Sequence, residues 1–310
     1  MDRQPGITPQ TKLLGLIGHP VSHSLSPVFH NAALDYLNLD YVYLAFDVLP
    51  ENLTAAVRAL RALGIIGFNV TVPHKETIIT LLDEWDEPAR SLQAVNTIIL
   101  HHGRLTGYNT DEYGFTQALN RHQVNVKGKT AIILGAGGAA RAVLAAMIQK
   151  QIQKILICNR SSDRAFQFQR WAQSAFCFKV GIIPWDHFIN GSAADLSGVD
   201  ILINATCLGL QQENISVPWK KIDNCQYIID VVYFRDETPL VKEARKWGKI
   251  AFDGKLMLLY QGVKSFQLFT NHEAPVMVME EVLCRVFKNP NVSNQHIEET
   301  VSHGNEHPQF

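Results

Sequence analysis

Short apolar runs alternate with stretches of helical period along most of the chain. "LLGLIG" (13–18) predicts a buried strand, and "SPVFHNAALDYLNL" a helix with Phe29, Ala32, Ala33, Tyr36 and Leu37 on one face. "YVYLAFDV" predicts a second strand. "PENLTAAVRALRALG" follows as a helix with proline near its start and Gly64 past its end, and "IGFNVTV" as a third strand. Pro73 then suits the first position of another helix, because its missing N–H is one of the donors left unsatisfied there. Lys75 falls in that helix's first turn, where the positive end of the backbone dipole opposes a cation. Next, "NTIILHHGRLTGYN" predicts a hairpin turning at 102–104.

A second α/β pattern begins at "NVKGKTAIILGAGGAARAVLAAMIQKQIQKILICNRS", where strand, glycine turn, helix and strand span the length of one βαβ unit. "DILINAT" and "YIIDVVY" predict later strands, and "GKLMLLYQGVKSFQLF" a long helix. The last helix, "APVMVMEEVLCRVF", has Val276, Met279, Val282, Leu283 and Val286 at core spacing. Strands separated by helices predict an α/β protein with mainly parallel sheets. The polar tail 289–310 reads as disordered. Its His296, His303 and His307 lack a packed scaffold, so no metal site is expected.

Composition narrows the class. At 310 residues, 46% hydrophobic and 18% charged, the chain fits a soluble protein of about two domains. No apolar run reaches the ~18–20 residues of a membrane span, and the polar N-terminus lacks a signal peptide's apolar core. A net charge of −1 gives no reason to expect nucleic acid or an anionic membrane as partner. Cys158, Cys177, Cys207, Cys225 and Cys284 show no C-x-x-C spacing, so reduced, buried thiols in a cytoplasmic protein are expected.

The candidate chemistry begins at the glycine turn. Gly135, Ala136, Gly137, Gly138, Ala139 and Ala140 fit G-x-G-x-x-(G/A) between a strand and a helix. The first glycine allows the tight turn, the second lets backbone N–H groups approach a pyrophosphate, and Ala140 permits close helix–strand packing. The next strand ends at Asn159, Arg160 and Ser161, with Arg164 one helical turn on, and no acid stands where NAD-binding versions hold the ribose. A guanidinium there matches the 2′-phosphate of NADP.

Two further constellations carry an alternative each. Ser26 before Pro27 suits a helix N-cap, while Ser24 has no such local role. Together the two hydroxyls would also make a carboxylate site. Lys75 reads either as a surface lysine offset by Glu76 or Glu84, or as a proton donor held by a counter-charge. Asp111, at the start of a helix capped by Asn109 or Thr110, is favoured there on structural grounds, and Lys75 with Asp111 would also form a workable proton-transfer pair.

Taken in order, "GHPVSHSLSPVFHN", "NVTVPHKE", "AVNT", "GYNTD", "GAGGAAR", "NRS", "INAT", "DVVY" and "DGKLMLLYQG" resemble the shikimate dehydrogenase family from about residue 14 to 287. The resemblance implies two domains with a cleft between them. One is an N-terminal α/β substrate domain (1–112, completed by helices in 255–288), and the other a Rossmann-type NADP-binding domain (113–254). It implies substrate binding by Ser24, Ser26, Thr71, Asn96, Tyr233 and Gln261, with Lys75 and Asp111 as the catalytic pair. On the cofactor side it implies the Gly135–Ala139 loop, the clasp Asn159, Arg160, Ser161 and Arg164, and Gly254, whose carbonyl would face the nicotinamide amide. The implied reaction is reversible NADPH-dependent reduction of 3-dehydroshikimate to shikimate, in aromatic amino-acid and chorismate biosynthesis. A homodimer is left open. Glu112, Cys207 and Leu210 depart from the pattern on what would be the cofactor side. Competing readings are a dehydrogenase of quinate or one using NAD, a non-catalytic sensor of shikimate or NADPH, and a folate-linked dehydrogenase. The last gives no reason for the serine pair.

Overall fold

The first apolar run is flanked by strands on both sides, which is why it is almost wholly buried. β1 (Lys12–Gly18) lies between β2 (Tyr41–Asp47) and β3 (Gly67–Val70) and pairs with both in parallel. The sheet continues through β5 (Thr97–His101) and β6 (Arg104–Tyr108) to the short β4 (Glu84–Trp85), in the order β2-β1-β3-β5-β6-β4. β5 is antiparallel to β3 and to β6. The β5–β6 hairpin turns on His102 and Gly103, both at positive φ (49° and 74°), as a two-residue hairpin turn requires. Helices α1 (Ser26–Tyr36), α2 (Leu53–Ala62) and α3 (Glu87–Leu92) belong to this part of the chain. Ile17, Val57, Leu60, Phe68, Ile78, Val95 and Ile98 form its core. The computed structural model describes residues 6–209, 213–234 and 236–288.

The chain divides into two units, Met1–Thr110 with Leu259–Phe310, and Asp111–Leu258. The second opens with α4 (Asp111–Arg121). Its strands are β7 (Thr130–Leu134), β8 (Lys154–Asn159), β9 (Val180–Pro184), β10 (Ile201–Asn204), β11 (Tyr227–Asp230) and β12 (Ile250–Phe252). All pair in parallel in the order β12-β11-β10-β7-β8-β9. Counted from β7, that is the 3-2-1-4-5-6 order of the doubly wound dinucleotide fold. Helices α5 (Gly138–Gln149), α6 (Ser162–Phe176), α7 (Trp185–Ile189) and α8 (Pro239–Lys246) supply its crossovers and cover. The chain then enters α9 (Lys255–Thr270), which passes from the second unit's residues into the first's, and ends in α10 (Val276–Lys288), packed on α1.

Several expectations are corrected. No helix starts at Pro73: Thr71 O accepts from His74 N–H at 2.9 Å around a cis Val72–Pro73 bond, and a short 3-10 turn follows only at Thr77–Leu81. Lys75 therefore meets no helix dipole. α1 stops at Tyr36, which is exposed, and its buried face carries His30 and Leu34 beside Phe29, Ala32 and Ala33. On α10, Met279, Val282 and Leu283 are buried, while Val276 and Val286 are only half-buried. Cys177 and Cys207 are exposed; Cys158, Cys225 and Cys284 are buried. The tail and its histidines, and Leu210, lie outside the described residues.

Candidate active site

Lys75 sits in a turn pinned on three sides. His74, fully buried, donates from Nε2 to Val48 O at 2.7 Å, and its carbonyl accepts from Ile78 N–H at 2.9 Å. The Lys75 carbonyl accepts from Val95 N–H at 2.8 Å. The next residue, Asn96, holds the other candidate's approach: its Oδ1 accepts from Thr110 N–H at 2.8 Å and its Nδ2 donates to Thr110 Oγ1 at 2.9 Å. Asn109 Nδ2 donates to Ala94 O at 2.9 Å. Three consecutive residues, Ala94 to Asn96, thus anchor the backbone at Lys75 and the segment leading into Asp111. Asp111 is the first residue of α4, where the positive end of the helix favours a carboxylate.

The serine pair departs from the expected cap. Ser26 is the first residue of α1, and the cap position is taken by Leu25, which offers no side-chain bond. Ser24 supplies the local acceptor instead, its Oγ taking Ser26 N–H at 3.3 Å. Thr71 borders the same loop. A Cβ on Gly18 would overlap Thr71 Cγ2 and lie 3.0 Å from Val21 Cγ1, so only glycine lets β1 pass this close to both. Gln261 is half-buried on α9, and its carbonyl accepts from Ser265 Oγ at 2.9 Å.

Sequence reasoning missed the side chains that join these candidates. Asn69 Nδ2, with two hydrogens to give, lies within hydrogen-bond distance of three acceptors, Asn96 O (3.0 Å), Thr97 Oγ1 (2.9 Å) and Ser265 Oγ (2.9 Å), and its Oδ1 accepts from the Tyr43 phenol (2.7 Å). The available signal was an asparagine inside a four-residue strand buried throughout, since buried polar groups need partners.

In the second unit the glycine turn separates two reasons for glycine. Gly135 has φ +101°, and a Cβ on it would lie 2.8 Å from Ala205 O, so β7 could not turn there with any larger residue. Gly137 has φ −99° and ψ −170°, an ordinary extended conformation, and a Cβ on it would meet no protein atom within 4 Å. Protein geometry does not ask for glycine at that position. A ligand approaching the N-terminus of α5 would, and the helix dipole there favours an anion. Ala140 is fully buried.

After β8, Arg160, Ser161 and Arg164 are all exposed. Ser161 caps α6 by accepting from Arg164 N–H at 3.3 Å, and Asn159 Nδ2 donates to Ser161 O at 2.9 Å. The arginines are thus presented from a fixed turn beside a helix N-terminus, an arrangement suited to a phosphate monoester. Gly254 is crowded: a Cβ would overlap the Val231 carbonyl, and its own carbonyl accepts from Leu258 N–H at 2.8 Å, leaving one lone pair for a ligand. Burial pushes the Tyr233 phenol up to about 12, so it stays a donor at neutral pH. Asp230, also missed, is buried at the end of β11 and raised to about 7 by desolvation. Its Oδ1 accepts from Asn204 Nδ2 at 2.8 Å. Glu112 is corrected: it accepts from Thr116 Oγ1 at 3.3 Å and bonds Gln149, at the end of α5 opposite to the glycine turn.

The chain matches three family models in succession: the shikimate dehydrogenase substrate binding domain (16–98), shikimate / quinate 5-dehydrogenase (117–245) and the shikimate 5′-dehydrogenase C-terminal domain (256–284). It is 42% identical to the shikimate dehydrogenase (NADP(+)) of Methanopyrus kandleri over 280 residues, 88% of this chain and 95% of that one. A crystal structure of shikimate dehydrogenase in complex with NADP+ matches with TM-score 0.82 at 40% identity, over 91% of this chain and 98% of that one. Shikimate 5-dehydrogenase from Listeria monocytogenes, in complex with shikimate and NAD, matches with TM-score 0.80 at 34% identity, over 90% and 98%.

A Rossmann unit with a glycine turn open at a helix N-terminus, in one chain with a second α/β unit rich in buried polar groups, is the plan of a dinucleotide-dependent oxidoreductase. Within that class, the chain belongs to the shikimate dehydrogenase family.

Proposed function

We propose that the protein is an NADP-dependent shikimate dehydrogenase, reversibly reducing 3-dehydroshikimate to shikimate on the route to chorismate and the aromatic amino acids. The observation that carries the reading is its 42% identity to an NADP(+) shikimate dehydrogenase over 88% of the chain, with Arg160 rather than an acid following β8. Gly135, Ala136, Gly137, Gly138 and Ala139 would hold the pyrophosphate of NADP, and Asn159, Arg160, Ser161 and Arg164 its 2′-phosphate, with Gly254 toward the nicotinamide. When bound, NADPH supplies the hydride. Ser24 and Ser26 take the substrate carboxylate and Thr71, Asn96 and Gln261 the ring hydroxyls, with Tyr233 beside the substrate.

Negative charge grows on the ketone oxygen as it is reduced, and a cation that donates a proton there lowers the barrier. Lys75 gives that proton and Asp111 orients the ammonium. The anchoring of the Lys75 backbone by Val95, and of Thr110, the residue before Asp111, by Asn96, supports the assignment, since general acid catalysis depends on a donor held in place. We place the protein in the cytoplasm, its five free thiols fitting a reducing compartment. Among the described residues no helix is long and apolar enough to cross a membrane.

Initial rates of NADP+ reduction with shikimate test the reading, repeated with quinate and with NAD+. Faster turnover with quinate or NAD+ would reassign substrate or cofactor. Lys75→Ala lowers turnover at least ~100-fold with NADP+ affinity retained, in line with the usual worth of general acid–base catalysis. Near wild-type turnover in that variant would remove the lysine from the chemistry.

A further inference from the structure

β10 and β11 end side by side. Asn204, the last residue of β10, is paired in register with Asp230, the last of β11, and on its other side with Leu134 of β7. The strand order reverses between β7 and β10, and the crevice outside the carboxyl ends at such a point is where this fold holds its ligand. The loop after β10 is therefore one wall of that crevice, beside the glycine turn after β7. Asn204 and Asp230 are themselves 0% and 1% exposed, so both act from behind the wall.

Asn204 spends every polar atom of its side chain. Its Nδ2 donates to Leu208 O at 3.0 Å and to Asp230 Oδ1 at 2.8 Å. Its Oδ1 accepts from Thr206 N–H at 3.1 Å and from Thr206 Oγ1 at 2.7 Å. A backbone N–H can only donate, so the atom facing Thr206 is the oxygen and the amide nitrogen faces Asp230. Thr206 Oγ1 in turn accepts from Leu208 N–H at 3.0 Å. Residues 205–208 are thus wrapped around one amide group. Asp230 extends the hold to the next strand, because its Oδ1 also accepts from Val232 N–H at 3.1 Å.

Both ends of this network meet residues assigned above to the cofactor. Ala205 O stands 2.8 Å from where a Cβ on Gly135 would lie. At the other end Val232 O accepts from Gly254 N–H at 3.0 Å, and the Val231 carbonyl leaves no room for a Cβ on Gly254. The turn at Gly135 is read as the pyrophosphate site and Gly254 as facing the nicotinamide.

We propose that Asn204 and Asp230 are positioning residues for hydride transfer, holding the two loops that set where the nicotinamide end of NADP lies without touching it. The inference rests on the reading of the glycine turn and Gly254 as the cofactor site. Displacing a reacting group by about 1 Å costs up to ~100-fold in rate. The adenosine end, read as held by Arg160 and Arg164 after β8, is two strands away from β10 and stays in place.

Asp230→Ala tests it. In the folded variant kcat for shikimate oxidation falls about 10- to 100-fold, and affinity for adenosine 2′,5′-bisphosphate, which has no nicotinamide, is unchanged. Asp230→Asn keeps an acceptor oxygen for Asn204 and Val232 and recovers most of the rate. A purely structural role would lower the melting temperature and leave kcat alone, and that result overturns the proposal. So does a loss of bisphosphate affinity equal to the loss of rate, or Asp230→Asn as slow as Asp230→Ala. Should Asp230→Ala fail to fold, Thr206→Val removes one donor and one acceptor from the loop at a half-buried position. Its kcat falls about 2- to 10-fold, the worth of one hydrogen bond, and Thr206→Ser restores it. Wild-type kcat in Thr206→Val, or no recovery in Thr206→Ser, overturns the proposal. Gly137→Ala separates the two levels of the argument. If it binds NADP+ as tightly as the wild type, the cofactor reading itself fails. If it binds weakly and Asp230→Ala still turns over at the wild-type rate, only the positioning role is wrong.

Discussion

Gly137→Ala separates cofactor binding from folding at a single atom. At φ −99° and ψ −170° alanine is as comfortable as glycine, and the new Cβ meets no protein atom within 4 Å. Losing a glycine from the unfolded chain stabilises by about 0.4–1 kcal/mol. Gly137 is also the N-cap of α5, where alanine is the poorer cap by roughly the same amount. The two effects offset, so the melting temperature of the ligand-free protein moves by no more than about 2 °C. The same methyl fills the space at the positive end of α5, and we expect NADP+ affinity to fall at least ~10-fold, equivalent to about 1.4 kcal/mol. Gly135→Ala is the contrast. It places a Cβ 2.8 Å from Ala205 O at φ +101°, a strain of about 1–3 kcal/mol that lowers the melting temperature by several degrees whether or not NADP+ is added. Thermal melts of the free proteins and calorimetric titration with NADP+ read both effects. Wild-type NADP+ affinity in Gly137→Ala, or a melting temperature as low as that of Gly135→Ala, would refute the division of labour.

Arg160→Ala, at an exposed position, raises the KM for NADP+ about 10-fold or more and leaves the KM for NAD+ unchanged; parallel changes would show that the arginine does not read the 2′-phosphate. His30 is buried with neither ring nitrogen hydrogen-bonded, and burial lowers its pKa from 6.5 to about 3. Its folded pKa lies below its unfolded one, so stability is complete above pH 6.5 and falls by up to about 1.4 kcal/mol per unit as pH drops toward 3. His30→Phe raises the melting temperature more at pH 5 than at pH 8, and an equal gain at both would contradict the buried neutral imidazole.

Local pattern was enough for much of the architecture. The glycine turn after an apolar strand, the hairpin at 102–104 and the order of strands and helices depend on neighbouring residues only, and each could be read along the chain. The Pro73 segment misled because a proline fits a helix start and a tight turn alike, and the choice between them was made by contacts to Val48 and Val95. Glu112 misled in the other direction. The family pattern put it on what would be the cofactor side, but α4 presents it to Gln149, at the end of α5 away from the glycines.

By itself, then, the sequence determined the two α/β patterns, the Gly135–Ala139 turn and the residue types able to bind an acid and move a proton. Those follow from periodicity and side-chain chemistry, which are local properties. Only the tertiary structure decided that Asn69 and Ser265, 196 positions apart, share a hydrogen bond, and that Ala94 to Asn96 anchor the backbone at both Lys75 and Thr110. The physical reason is that a hydrogen bond needs a donor and an acceptor at about 3 Å with the right direction, and that pairing is set by how strands and helices pack.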